Sequence, residues 1–111
     1  KQEPVHSGVE VTVVDGVNER KQKMFELSDA FIILPGGIGT LNELTDIMTM
    51  QQIGESKKPL FFLNTAGFWI PFVRLFIHMQ KSGFIETIHD YNIHGANTVD
   101  DLIKRVLKYE N

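Results

Sequence analysis

The residues best suited to chemistry lie in one short stretch, Pro35-Gly36-Gly37-Ile38-Gly39-Thr40, followed three positions later by Glu43. Glycines let a ligand approach the backbone closely, and a helix starting here offers free N–H groups and the positive end of its dipole to an anion. Thr40 adds a hydroxyl donor. No Lys-Ser/Thr pair follows the glycines, so this is not a Walker A loop, and Asn42 stands where a dinucleotide fingerprint has its third glycine. A single phosphate is the ligand that fits best; without one, the same residues make a plain glycine-rich turn. Glu43 supports two readings. It can be the fourth residue of a capping box, reaching back to the N–H of an N-cap Thr40. It can also be a carboxylate that polarises water or stabilises an oxocarbenium ion beside a bound phosphate. Arg20-Lys21 falls in the first turn of a predicted helix, where the dipole opposes cations; a bound anion explains the pair, and so does ordinary solvation.

Composition removes other chemistries. With no cysteine there is no thiol nucleophile, disulfide framework or Cys-based zinc site, which fits a reducing cytoplasm. His6, His78, His89 and His94 lack metal-ligand spacing, and no serine sits in a nucleophile elbow. Phe61, Phe62, Phe68, Trp69, Phe72 and Phe76 read as core rather than as a base-stacking platform. A net charge of −3 with dispersed Lys and Arg disfavours nucleic acid, while leaving room for one small anion. The longest apolar runs fall well short of the roughly 20 residues that a membrane-spanning helix needs.

The elements that would carry these residues follow from periodicity. Val9, Val11 and Val13 alternate with polar neighbours, predicting a strand over 9–14 closed by Asp15-Gly16. Asn18 can cap a helix over 19–27. The apolar runs 30–34 and 60–63 suit strands buried on both faces, the first of them a central parallel strand. Helices are expected over 40–52, ending at Gly54, and from Ile70-Pro71 to Ser82-Gly83. Residues 84–91 give no clear pattern, 92–94 suit a short strand, and Thr98 can cap a last helix bearing Leu102, Ile103, Val106 and Leu107. Strand and helix alternate with short connections, which predicts an α/β sandwich of three layers with a parallel sheet. The glycine loop then lies beyond the carboxyl end of a strand, where open parallel sheets bind ligands. Met48, Met50 and Ile53 give the helix over 40–52 more apolar surface than one face needs, which suggests a dimer contact.

Glu19-Arg20-Lys21-x-x-Met24, Asp29 to Leu34 and Pro35-Gly36-Gly37-Ile38-Gly39-Thr40-x-x-Glu43 together resemble the LOG (LONELY GUY) family, formerly labelled lysine decarboxylase-like. The likeness continues through Gln51-x-x-Gly54, Lys58-Pro59, Leu63-Asn64 and Gly67-Phe68-Trp69 to Gly83-Phe84-Ile85. It implies a Rossmann-like fold, a homodimer, no metal or organic cofactor, and hydrolysis of a cytokinin riboside 5′-monophosphate or AMP to free base and ribose 5-phosphate. It further implies that Arg20 and Glu43 are the catalytic pair, Lys21 and Met24 site-lining neighbours, and Gly36, Gly37, Gly39 and Thr40 the phosphate loop. The older label would require a Schiff-base lysine and a pyridoxal phosphate site, and no such constellation is recognisable. Family members carry further strands and glycine-rich loops before the equivalent of Val9, and the chain opens on Lys1 rather than Met. These residues are therefore expected to be the C-terminal part of a single Rossmann-like domain, with a bare sheet edge on the flank of the first strand. The contrasting expectation is a nucleotide-sensing module of the same fold that binds without hydrolysis.

Overall fold

Buried apolar runs and amphipathic segments alternate along the chain, and in the computed structural model they become a sheet with helices on both faces. The structure describes residues 2–6, 9–17, 21–85 and 91–110. The strands are β1 (Gln2–His6), β2 (Val9–Val14), β3 (Ala30–Ile33), β4 (Leu60–Leu63) and β5 (Ile93–Ala96). The helices are α1 (Lys21–Leu27), α2 (Ile38–Gln52), α3 (Ile70–Lys81) and α4 (Val99–Glu110), with a 3-10 turn at Thr65–Gly67. The strands lie in chain order, β1-β2-β3-β4-β5, and β2 through β5 are parallel. The Rossmann-like α/β architecture expected from the sequence is therefore present.

Strand order settles where the helices go. Parallel strands added one after another in the same direction by right-handed crossovers put every crossover helix on one face. Accordingly Met24 of α1, Leu44 and Ile47 of α2, and Phe76 of α3 share one buried cluster with Val14, Phe31, Ile33 and Phe62. The opposite face, built from Val11, Ala30, Ile32 and Phe61, is covered by Leu102 and Val106 of α4. β3 is buried at every position, as its unbroken apolar run predicted for a strand covered on both sides. Each large side chain buried in this way stabilises the fold by roughly 1.5–3 kcal/mol before entropy is counted.

Several boundaries moved. β1 was not anticipated: it pairs antiparallel with β2, so the bare edge expected there is filled. Its sequence Gln-Glu-Pro-Val-His has neither alternation nor an apolar run, and Pro4 is tolerated because an outer strand needs no donor on its free side. β3 ends at Ile33 rather than Leu34, and β5 is shifted to 93–96. Of the surplus apolar residues on α2, Met48 proves to be core, Met50 is half-buried and Ile53 is 60% exposed. The helix start expected at Asn18 and Glu19, and residues 86–90 of the unassigned stretch, lie outside the described residues. Among those described, no helix is long and apolar enough to cross a membrane.

Candidate functional site

Register places three loops side by side. Val14 is level with Ile33, and Ile33 with Phe62, so the chain leaves β2 at Asp15 and β3 at Leu34 at one height, and β4 ends one residue further on, at Leu63. Neighbouring strands are about 5 Å apart, so these loops form a continuous rim at the carboxyl end of the sheet. The glycine loop is the middle one.

Helix α2 begins at Ile38, two residues earlier than the threonine cap predicted. Gly37 is its N-cap and no side chain caps the first turn. Among the described residues the N–H groups there have no side-chain acceptor, and the helix dipole adds positive potential. The glycines divide by role. A Cβ on Gly36 would stand 2.3 Å from Thr40 Oγ1, and one on Gly39 would stand 2.9 Å from the carbonyl oxygen of Gly16. Gly39 is therefore glycine because its loop packs on the loop after β2, and Gly36 because the Thr40 side chain folds back against it. A Cβ on Gly37 would meet nothing within 4 Å among the described residues, so this position is sterically open. Thr40 is buried, its hydroxyl turned against Gly36 and Gly16 beneath the loop.

Glu43 is 2% exposed. The capping-box geometry is not what the structure holds: Oε1 accepts a 2.7 Å hydrogen bond from the N–H of Gly16, in the loop after β2. Gly16 has φ +88°, a conformation that suits glycine and aims its N–H at the carboxylate. The other oxygen, Oε2, is buried and has no partner among the described residues. Burial pushes the Glu43 carboxyl above its usual range, against the lowering effect of the Gly16 N–H; the Asp15 charge raises it further and Lys21 lowers it. A buried acceptor without a donor is costly, and such groups mark sites completed by something else.

The cation at the start of α1 has an internal partner. Lys21 Nζ lies 3.1 Å from Asp46 Oδ2, three positions after Glu43 on α2, so the pair links α1 to α2 beside the carboxylate. Met24 lies behind the site in the core at 3% exposure. Arg20 falls outside the described residues. Sequence reasoning missed two participants, Gly16 and Asp46. Asp15-Gly16 was legible only as a turn signal, and Asp46 only through its helical spacing from Glu43.

This arrangement has relatives. A family model described as "Possible lysine decarboxylase" matches residues 1–106. The chain belongs to this family. It is similar to the cytokinin riboside 5′-monophosphate phosphoribohydrolase LOG of Oryza sativa subsp. japonica, at 41% identity over 90% of this chain and 41% of the relative. It is also similar to the cytokinin riboside 5′-monophosphate phosphoribohydrolase LOG4 of Arabidopsis thaliana, at 38% identity over 90% of this chain and 46% of the relative. A probable phosphoribohydrolase of the same kind from Oryza sativa subsp. japonica, LOGL1, is 39% identical over 90% and 45%. The chain spans less than half the length of these relatives. The family match reaches well beyond residues 19–85, where the motifs are densest.

Proposed function

We propose that this chain carries the phosphate loop and the catalytic carboxylate of a phosphoribohydrolase, and that it is the C-terminal part of one Rossmann-like domain. The observation that supports it most is the buried Glu43, with one oxygen unpartnered among the described residues, beneath a glycine loop that opens a helix with no side-chain cap. In this reading the 5′-phosphate of a nucleoside monophosphate, a cytokinin riboside monophosphate or AMP, sits on the N–H groups at the start of α2 beside Gly37. Arg20 neutralises and orients the sugar phosphate; the next residue in sequence, Lys21, is tied to α2 by Asp46. The C1′–N bond breaks with its electron pair leaving on the base, which takes up a proton. Water adds to C1′ and gives ribose 5-phosphate. Glu43, held by the Gly16 N–H, offers Oε2 to stabilise the cationic ribose or to take the proton of the attacking water.

The similarity of the chain to enzymes named phosphoribohydrolases supports the same reaction class. The dimer is proposed as well, with Ile53 and half-buried Met50 at the contact; light scattering of the full-length protein at micromolar concentration should report two copies, and a monomer would remove it.

The decisive experiment uses the full-length protein and follows ribose 5-phosphate release from AMP. Glu43→Gln keeps size and the contact to Gly16 but removes the charge. The expected result is a loss in kcat of about a hundredfold or more, on the order of 3 kcal/mol, with AMP binding retained. Turnover near the wild-type rate would return Glu43 to a structural role. Tight AMP binding with no ribose 5-phosphate released by the wild type would instead indicate a sensor.

A further inference from the structure

A nucleoside monophosphate offers two features besides its sugar, a dianionic phosphate and a flat base. The glycine loop suits the first. The turn after β4, next along the rim, carries an exposed aromatic ring suited to the second.

Phe68 and Trp69 are adjacent in sequence but differ in environment: Trp69 is 5% exposed and packs on Phe62 and Phe72, whereas Phe68 is 47% exposed. Trp69 meets Phe68 edge-on, with centroids 5.1 Å apart and planes at 88°, so the exposed ring has a fixed backing. The turn beneath is tightly held. Gly67 donates to the Asn64 carbonyl at 3.1 Å, Phe68 to the Thr65 carbonyl at 3.0 Å, and the Trp69 N–H to Asn64 Oδ1 at 2.8 Å. It also contains the one non-glycine residue with positive φ among those described, Ala66 at 54°. Strain of this kind persists where the surroundings enforce it, and it concentrates at ligand sites. The Trp69 indole N–H, beside the ring, is buried with no acceptor among the described residues. Among the described residues, the other exposed Phe and Tyr rings, Phe84 and Tyr109, lie after the C-terminus of α3 and in the last turn of α4, away from this rim.

We propose that Phe68 is the surface on which the departing base of the nucleoside 5′-monophosphate stacks, so that the turn over 64–69 forms the base-recognising wall of the site. The inference rests on the function proposed above. It adds a residue that sets affinity for the base end of the substrate and leaves the phosphate end untouched. Stacking on an aromatic face is tolerant of base identity and responds to loss of the ring more than to a change of its substituents.

The test compares Phe68→Ala, Phe68→Leu and Phe68→Tyr in the full-length protein, measuring KM and kcat with AMP and inhibition by ribose 5-phosphate, which has no base. Phe68→Ala should raise KM for AMP about tenfold while ribose 5-phosphate inhibits as before, within about twofold. Phe68→Tyr should restore the wild-type KM and Phe68→Leu should not. The proposal is overturned if Phe68→Ala leaves KM unchanged, or if it weakens AMP and ribose 5-phosphate by the same factor. It is equally overturned if the loss disappears on concentrating the protein, since Phe68 would then serve an interface. Phe68-dependent AMP binding by a wild type that releases no ribose 5-phosphate would remove the hydrolase reading and leave the stacking surface standing. A wild type that neither binds nor cleaves AMP would remove both.

Discussion

Replacing Gly16 by alanine tests the contact that holds Glu43. At φ +88° an L side chain is strained by about 1–2 kcal/mol. The added Cβ would also stand 2.8 Å from the Thr40 nitrogen and 3.1 Å from the Gly39 carbonyl carbon, both backbone atoms that no rotamer change can move aside. Either the loop after β2 or the first turn of α2 must shift, and the 2.7 Å bond from Gly16 N–H to Glu43 lengthens. A hydrogen bond to a charged group contributes about 1.5–3 kcal/mol, so the total destabilisation should reach about 2.5–5 kcal/mol. Gly37→Ala is the control, because its Cβ meets nothing within 4 Å among the described residues; it should change stability by less than about 1 kcal/mol. Denaturant unfolding of the two full-length variants gives both values. Gly16→Ala protein that stays folded should still lose about a hundredfold in kcat, since the carboxylate is displaced. Equal stability of the two variants, within about 0.5 kcal/mol, would refute the reasoning.

Other outcomes follow from the same structure. Burial raises the Glu43 pKa, so its contribution to stability is full below the unfolded carboxyl value near 4.5 and is lost as pH rises through the higher folded value. Glu43→Gln should therefore gain Tm relative to wild type at pH 7 and show no advantage at pH 4. His94, stacked on Phe61 and bonded to Asn92 Oδ1, has its pKa lowered by burial and then by Arg105. Its stabilising contribution is present above the unfolded value of 6.5 and lost as pH falls through the folded value; His94→Phe should flatten the Tm profile between pH 7 and 5. Lys58 Nζ donates to the Phe25 carbonyl at 2.6 Å, capping the end of α1, so Lys58→Met should cost about 1 kcal/mol in chemical denaturation. Gln51, buried at 1%, bonds to the Lys58 and Asn92 carbonyls, and Gln51→Leu should cost about 2–3 kcal/mol by the same measurement.

What the sequence revealed follows the range of the interactions. β3 and β4 were legible because a strand buried on both faces must be apolar at every position. The α4 cap was legible because Thr98 acts three residues away, accepting from the Asp101 N–H at 3.1 Å. Glu43 was legible as a residue of interest, but its partner was not: Gly16 lies 27 positions upstream, and only the closed sheet brings them together. The local alternative, a threonine cap, was available in sequence and lost to a glycine cap that no side-chain rule announces. β1 lacked any apolar pattern, since an edge strand is specified by backbone pairing. Phe68 and Trp69 differ by burial alone, which their types do not encode.

Gln51 also shows how unevenly the molecule spends its polar groups. It joins the end of α2 to the starts of β4 and β5, and near it Lys58 closes α1 while Asn92 links the Lys57 carbonyl, Tyr109 and His94. At that end of the sheet the polar groups are matched to one another. At the other end stand a carboxylate oxygen and an indole N–H without partners among the described residues, and a residue in a disfavoured conformation. The strands thus run from a finished pole to an unfinished one. Amide exchange should slow toward the first and quicken toward the second, and a bound substrate should level the gradient by completing the open pole.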